Sequence, residues 1–292
     1  MAELSLIEIL NKTAEHFKKK GIRNPRLDAQ LLLATALKLN RIDLYLNYDR
    51  PLSKGELDAM REMVRRRSAR EPLQHILGRV QFRELILNVD KRALVPRQET
   101  ELLIDHVKDV EHQLETAGHP RKDLTALDVG VGSGAVYLSI KREIPQITTF
   151  GVELSADALA LARENAELNT LKLDDNLVQG DTFQPFAPGQ KWDLIVSNPP
   201  YVSRQEFDTL DPEVKFWDPP SALIGGDTGT EYPAKLIRES FDRTCSGGFL
   251  IMEIGEEQGS FLVEEARRCR WEVSRVKRDY NGKERFLILK RQ

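Results

Sequence analysis

Asn198-Pro199-Pro200-Tyr201 follows directly on the apolar run Asp193-Leu194-Ile195-Val196-Ser197. Neither proline has an N–H to donate, so a sheet strand has to end there. The turn that remains is stiff. It offers an amide side chain, backbone carbonyls with no competing donor, and an aromatic face. Those groups suit a flat, neutral amino group on an sp2 carbon, such as a carboxamide or a nucleobase amine. A strand-ending turn with a packed tyrosine has the same composition, so the chemical reading depends on what accompanies it.

The accompaniment begins at Asp128-Val129-Gly130-Val131-Gly132-Ser133-Gly134. Alternate glycines let the backbone turn sharply and approach a ligand closely. The spacing is GxGxG rather than the dinucleotide GxGxxG, and no GKS or GKT follows, which excludes a phosphate-cradling P-loop. About 20 residues further on, Phe150-Gly151-Val152-Glu153 ends in a carboxylate placed to accept both hydroxyls of a ribose. Gln179-Gly180-Asp181-Thr182-Phe183 then supplies an acid and an aromatic ring able to bracket an adenine. With Asn198, these make four polar clusters at four successive strand ends. They predict one crevice holding an adenosyl cofactor, bound by Gly130, Val131, Gly132, Ser133, Gly134, Glu153, Asp181, Thr182, Phe183 and Asn198.

Two kinds of element must position these groups. From Leu4 to about Leu77 the apolar spacing is helical: Leu6, Ile9, Leu10, Ala14 and Phe17, then Leu27, Leu31, Leu32, Ala34 and Leu37 after Asn24-Pro25. Ser53-Lys54-Gly55-Glu56 is a capping box that opens another helix. Alternation at Val80, Phe82, Leu85, Leu87 and Val89 predicts a hairpin joining two halves. Thereafter strands and helices alternate, with strands around residues 124–128, 147–152, 177–178, 192–196, 249–253 and 286–289. Such alternation implies a doubly wound α/β fold whose ligands sit at the carboxyl ends of a mostly parallel sheet. The domain boundaries expected are 1–78 for the helical unit, 79–95 for the hairpin linker and 96–292 for the α/β domain.

Charge divides along the same line. Residues 1–80 carry 16 Lys/Arg against 10 Asp/Glu (+6), and residues 81–292 carry 27 against 36 (−9). An acidic catalytic half is poorly suited to gripping a phosphate backbone. The two cysteines, Cys245 and Cys269, and the five histidines show no ligand spacing, so no metal site is predicted. No run reaches the ~18 apolar residues of a membrane span. The first residues lack an apolar signal segment, which with free thiols points to a reducing cytoplasm.

In this order, glycine loop, acidic second strand, Gly-Asp third strand and Asn-Pro-Pro-Tyr fourth strand, the chain resembles class I S-adenosylmethionine methyltransferases. It is more closely similar to the HemK/PrmC family, which methylates a glutamine side chain in peptide-chain release factors. The resemblance runs through Glu71–Gly78, Leu94–Glu101, Ser221–Asp227, Gly247-Gly248-Phe249, Glu253-Ile254-Gly255 and Arg278-Asp279-Tyr280. It departs at Gln98, Val131, Glu153 and Asp218, where the family more often has Pro, Thr, Asp and Glu.

What the resemblance implies is a seven-stranded class I sheet behind a helical substrate-recognition module, with S-adenosylmethionine as the methyl donor. The acceptor would be the N5 amide nitrogen of the GGQ glutamine in a release factor, with an effect on translation termination. Asn198 and Pro199 would accept the two amide N–H groups, Pro200 would stiffen the turn, and Tyr201 would pack on the amide plane. From the residues alone, Arg97 and Glu99 read either as a lip over the cofactor or as a surface pair at a helix start, and Phe216 and Trp217 either as a wall of the substrate path or as the packing of their own loop. Release factors are then the partners of a cytoplasmic monomer that binds neither DNA nor membrane. The rival readings are an N6-adenine DNA methyltransferase, which must extrude a base and grip a duplex, a ribosomal-protein or rRNA methyltransferase, and a non-enzymatic adenosyl-binding protein.

Overall fold

A computed structural model describes residues 4–173 and 175–292. Two compact units are present, one formed by residues up to Gly78 with Pro212–Trp217, the other by Arg79–Asp211 with Asp218–Gln292.

In the helical unit, Leu6–Lys19 and Lys54–Ser68 each begin at a reciprocal capping box. The Ser5 and Ser53 hydroxyls accept from the backbone N–H of Glu8 and Glu56, whose carboxylates accept from the serine N–H at 2.9 Å in both cases. Pro25–Leu37 starts with proline at its first position, where the missing donor costs nothing. Leu6, Leu10, Phe17, Leu32, Leu33 and Leu44 are buried together. Arg67, 7% exposed at its side chain, joins Asp28 at 2.7 Å and Glu213 at 2.9 Å, tying Pro212–Trp217 into this unit.

The second unit is built on seven strands: β1 (Thr125–Val129), β2 (Thr148–Glu153), β3 (Leu177–Gln179), β4 (Trp192–Ser197), β5 (Thr244–Glu253), β6 (Glu272–Arg278) and β7 (Glu284–Lys290). Their order is β3-β2-β1-β4-β5-β7-β6, with β7 antiparallel to both neighbours and the other pairs parallel. Successive residues feed opposite faces. Ala126, Leu194, Ile251 and Ile288 belong to one core with Leu103, Ile104 and Val107 of the helix Glu101–Thr116. Leu127, Ile195, Leu250 and Leu287 belong to another with Leu236, Ile237 and Leu262. Burial on both sides explains why these strands are almost continuously apolar.

Three features depart from the sequence expectations. The apolar runs predict six strands; β6 carries no such run, having only Val273 and Val276 among the charged residues of an edge. A short parallel pair, Val202–Ser203 with Ile224–Gly226, also went unpredicted. The hairpin, Arg79–Phe82 with Leu85–Asn88, packs Phe82, Leu85 and Leu87 against Val131, Tyr137 and Leu138 and so belongs to the α/β unit.

Candidate active site

The chain leaves β1 toward β2 on one side and later returns with β4 on the other, so a crevice opens at the carboxyl ends of β1 and β4. A cavity of roughly 200 Å³ lies there, lined by Gly130–Ser133, Glu153 and Asn198–Pro200 among others. Leu94, Pro96 and Thr100 from one segment and Pro219, Ser221 and Ala222 from another line it as well. Asp218, 4% exposed, holds those segments together, accepting from Arg97 at 2.8 Å and from the Val95 N–H at 3.4 Å.

Backbone geometry shapes the glycine loop. Gly130 and Gly132 have φ of +82° and +56°, and a Cβ on either would meet nothing within 4 Å, because that side faces the crevice. Gly134 (φ +90°) is pressed on Leu138, 2.9 Å from where a Cβ would stand. Asn165, fully buried, donates to the Ser133 carbonyl at 2.8 Å and to that of Asn88 at 3.1 Å, fastening the loop to the hairpin. Glu153 accepts from the Gly132 N–H and the Ser155 N–H, both at 2.8 Å, which fixes the carboxylate and leaves further lone pairs facing outward. Asp128, one strand position before the loop, is 1% exposed, and burial pushes its carboxyl up to about 8, helped by the charge of Glu153.

The Asn198–Tyr201 turn is held from behind. Asn198 Nδ2 donates to Thr100 Oγ1 at 3.2 Å, and the Tyr201 hydroxyl donates to Glu253 at 3.1 Å. Gln258 donates to the Tyr201 carbonyl at 2.8 Å. Gly225 and Gly229 let the turn come close: a Cβ on Gly225 would stand 2.5 Å from the Pro200 oxygen, and one on Gly229 2.4 Å from the Tyr201 oxygen. Burial raises the Glu253 carboxyl against the pull of Thr100, Tyr201 and Arg285, and burial beside Glu253 raises the Tyr201 phenol, keeping it a donor.

Thus Gly130, Val131, Gly132, Ser133, Glu153, Asn198, Pro199 and Pro200 converge on one crevice. Four residues expected to bind the cofactor do not line it. Gly134 caps the helix Ala135–Glu143. Asp181 faces Lys235 at 3.4 Å, and Thr182 donates to Glu239 at 3.1 Å. The Phe183 ring is 5% exposed and lies 6.2 Å from Trp192 in the core, so it brackets nothing in the crevice. An aromatic ring on the crevice wall comes instead from Tyr232, whose phenol burial and the nearby Asp181 push up to about 12. Tyr201 also lies outside the lining, its hydroxyl turned to Glu253. Phe216 is 72% exposed, and Trp217 sets its ring 6.4 Å from His75 within the helical unit. Nothing in the local sequence marks Thr100, Asn165 or Tyr232 as site residues. Among the described residues, no cluster of His, Cys, Asp or Glu able to hold a metal ion is found, and no helix is long and apolar enough to cross a membrane.

Comparison with known proteins covers both units. The PrmC N-terminal domain family matches residues 8–78 and the methyltransferase small domain family residues 99–211. A release factor glutamine methyltransferase of Rhodopirellula baltica is 37% identical over 292 residues, covering 98% of this chain and 96% of that protein. One from Geobacter sulfurreducens is 36% identical over 280 residues, covering 96% and 94%. Among solved structures, the catalytic domain of hMettl16 in complex with MAT2A 3'UTR hairpin 6 superimposes with a TM-score of 0.52 at 18% identity, over 76% of this chain and 80% of that one. At that identity the likeness is one of fold.

Proposed function

The chain belongs to the release factor glutamine methyltransferase family, and from that membership we propose that it transfers a methyl group from S-adenosylmethionine to the side-chain amide nitrogen of a glutamine in a peptide-chain release factor. The supporting observation is the shared lining of one crevice by Gly130–Ser133, Glu153 and Asn198–Pro200. The residues suit the cofactor. Open space over Gly130 and Gly132 leaves room for close approach, and the anchored Glu153 carboxylate has lone pairs for two ribose hydroxyls. Tyr232 takes the place foreseen for Phe183 as the ring beside the adenine.

When bound, the cofactor supplies a methyl carbon made electrophilic by its sulfonium. The remaining chemistry belongs to the turn. An amide nitrogen is a weak nucleophile because its lone pair is shared with the carbonyl. Asn198 Oδ1 and the Pro199 carbonyl each accept one N–H of the glutamine amide. Both bonds strengthen as positive charge grows on the nitrogen, so they favour the transition state over the bound substrate. Alignment supplies much of the rest, since well-oriented reactants gain ~7–11 kcal/mol. The proton then leaves to water. The helical unit, with its basic excess, meets the release factor, in a cytoplasmic setting.

Incubating a bacterial release factor with the enzyme and labelled cofactor, then mapping its peptides by mass, tests this reading. One added CH2 on a glutamine is expected. Label appearing on DNA adenine or rRNA, with none on the factor, would overturn it. Duplex DNA is disfavoured by the net −9 of residues 81–292.

A further inference from the structure

Glu253, at the carboxyl end of β5, is 2% exposed, yet both its oxygens are engaged. Oε2 accepts from Thr100 Oγ1 at 2.7 Å, and Oε1 accepts from the Tyr201 hydroxyl at 3.1 Å. Thr100, 3% exposed, in turn meets Asn198 Nδ2 at 3.2 Å. These bonds have a direction that follows from the atoms alone. A carboxylate has only lone pairs, so a hydroxyl facing it must donate. Thr100 has one hydroxyl hydrogen, and Glu253 takes it. Toward Asn198 the threonine oxygen can only accept. The end of the asparagine amide that meets Thr100 must therefore be the NH2, and Oδ1 is turned to the other side. The two ends of an amide are nearly the same in shape, so packing does not choose between them. The buried carboxylate does.

We propose that Glu253 is a positioning residue for methyl transfer, setting the Asn198 amide through Thr100 so that its oxygen is the acceptor offered to the substrate, and fixing the far end of the same turn through Tyr201. This inference rests on the function proposed above, because the oxygen matters only where an amino group must be gripped. Glu253 acts from behind and is absent from the crevice lining, so it touches no reacting atom. Its direction holds while it is a carboxylate. The groups facing it are the Thr100 and Tyr201 hydroxyls, Arg285 from β7, and Glu99 from the segment before Glu101–Thr116; burial and Glu99 favour its protonation, and the others oppose it. Once protonated, Glu253 can donate and no longer dictates which way Thr100 points.

The test uses the full-length enzyme with a release factor as acceptor. Thr100→Val keeps the shape of the side chain and removes the hydroxyl; Thr100→Ser restores it; Glu253→Gln replaces the pure acceptor with a group that also donates. Thr100→Val and Glu253→Gln are expected to lower kcat about tenfold or more with cofactor affinity by calorimetry within about twofold of wild type. Thr100→Ser is expected to recover most of the loss. A kcat for Thr100→Val within about twofold of wild type overturns the proposal. So does an equal loss in Thr100→Ser, which would make the role one of packing. Neutron diffraction of the wild-type protein reads the direction without any activity: deuterium on Asn198 Nδ2 aimed at Thr100, and on Thr100 Oγ1 aimed at Glu253. The reverse assignment sinks the relay even if glutamine is methylated. Absence of methylation by wild type, with the expected neutron map, would remove the proposed function and leave the relay's direction standing.

Discussion

Gly225 backs the Asn198–Tyr201 turn so closely that the effect of a single methyl group there can be worked out. An added Cβ would stand 2.5 Å from the Pro200 oxygen, 2.6 Å from the Gly229 oxygen and 2.9 Å from the Tyr201 Cα, whereas ordinary contact begins at 3.4 Å. All three obstacles are backbone, so none can swing aside as a flexible side chain would. Gly225→Ala must therefore push the turn by about 0.9 Å, the difference between 3.4 and 2.5 Å. Over-packing of this kind costs about 1–3 kcal/mol of stability. A misplacement near 1 Å costs on the order of 10² in rate. The expected outcome is a folded enzyme with kcat reduced about 100-fold, measured as methyl transfer from labelled cofactor to a release factor. Cofactor affinity by calorimetry should change far less, because Gly130–Ser133 follow β1 and Glu153 ends β2, neither belonging to β4. Gly55→Ala is the control: a Cβ there meets nothing within 4 Å, and a helical Gly→Ala change stabilises by up to about 1 kcal/mol. A folded Gly225→Ala enzyme turning over within about twofold of wild type would refute the reasoning that the turn's position governs the rate.

Asn198→Ala, which removes the acceptor, should lower kcat about 10²- to 10³-fold; a purely KM effect in the same assay would contradict it. Glu153→Ala should weaken S-adenosylmethionine by about 10- to 100-fold in calorimetry, since bonds to a charged acceptor contribute about 1.5–3 kcal/mol. Asp128 titrates near 8 in the fold and near the ordinary carboxylate value of about 4 when unfolded, so between those values the folded state holds a proton that the unfolded chain has lost. Cofactor-free stability should accordingly fall as pH rises from about 4 to about 8, and Asp128→Asn should flatten the slope in urea titrations; a wild-type slope of opposite sign would defeat the assignment. Arg67→Met leaves Asp28 buried without its partner and should cost about 3–5 kcal/mol in chemical denaturation of the helical unit; a loss below about 1 kcal/mol would mean that water screens the pair.

Much of this was legible in the sequence because it is local. Glycines at alternate positions, a proline pair and the acid ending β2 carry their meaning within a few residues, and the strands buried on both faces announce themselves as apolar runs. Phe183 shows the limit. An aromatic residue just past a strand end can turn into the crevice or back into the core, and only the neighbouring Trp192 decides. Tyr232 sits in an amphipathic helix whose periodicity marks only its buried side. The Thr100–Glu253 bond spans 153 positions, and no spacing rule reaches that far. β6 hid for a different reason: an edge strand with one neighbour needs few apolar residues, and its charges discourage pairing with other chains.

The placement of β7 has a consequence for how the molecule comes into being. It is the last strand of the sheet in chain order, yet it lies between β5 and β6, with Phe286, Leu287 and Leu289 wholly buried. Until it is synthesised, β5 presents a bare apolar border and β6 has nothing to join, so the nascent α/β unit carries an open seam that any extended segment can occupy. The final hairpin acts as a zip, and the interval before it closes is when this enzyme is most exposed to aggregation and to proteases.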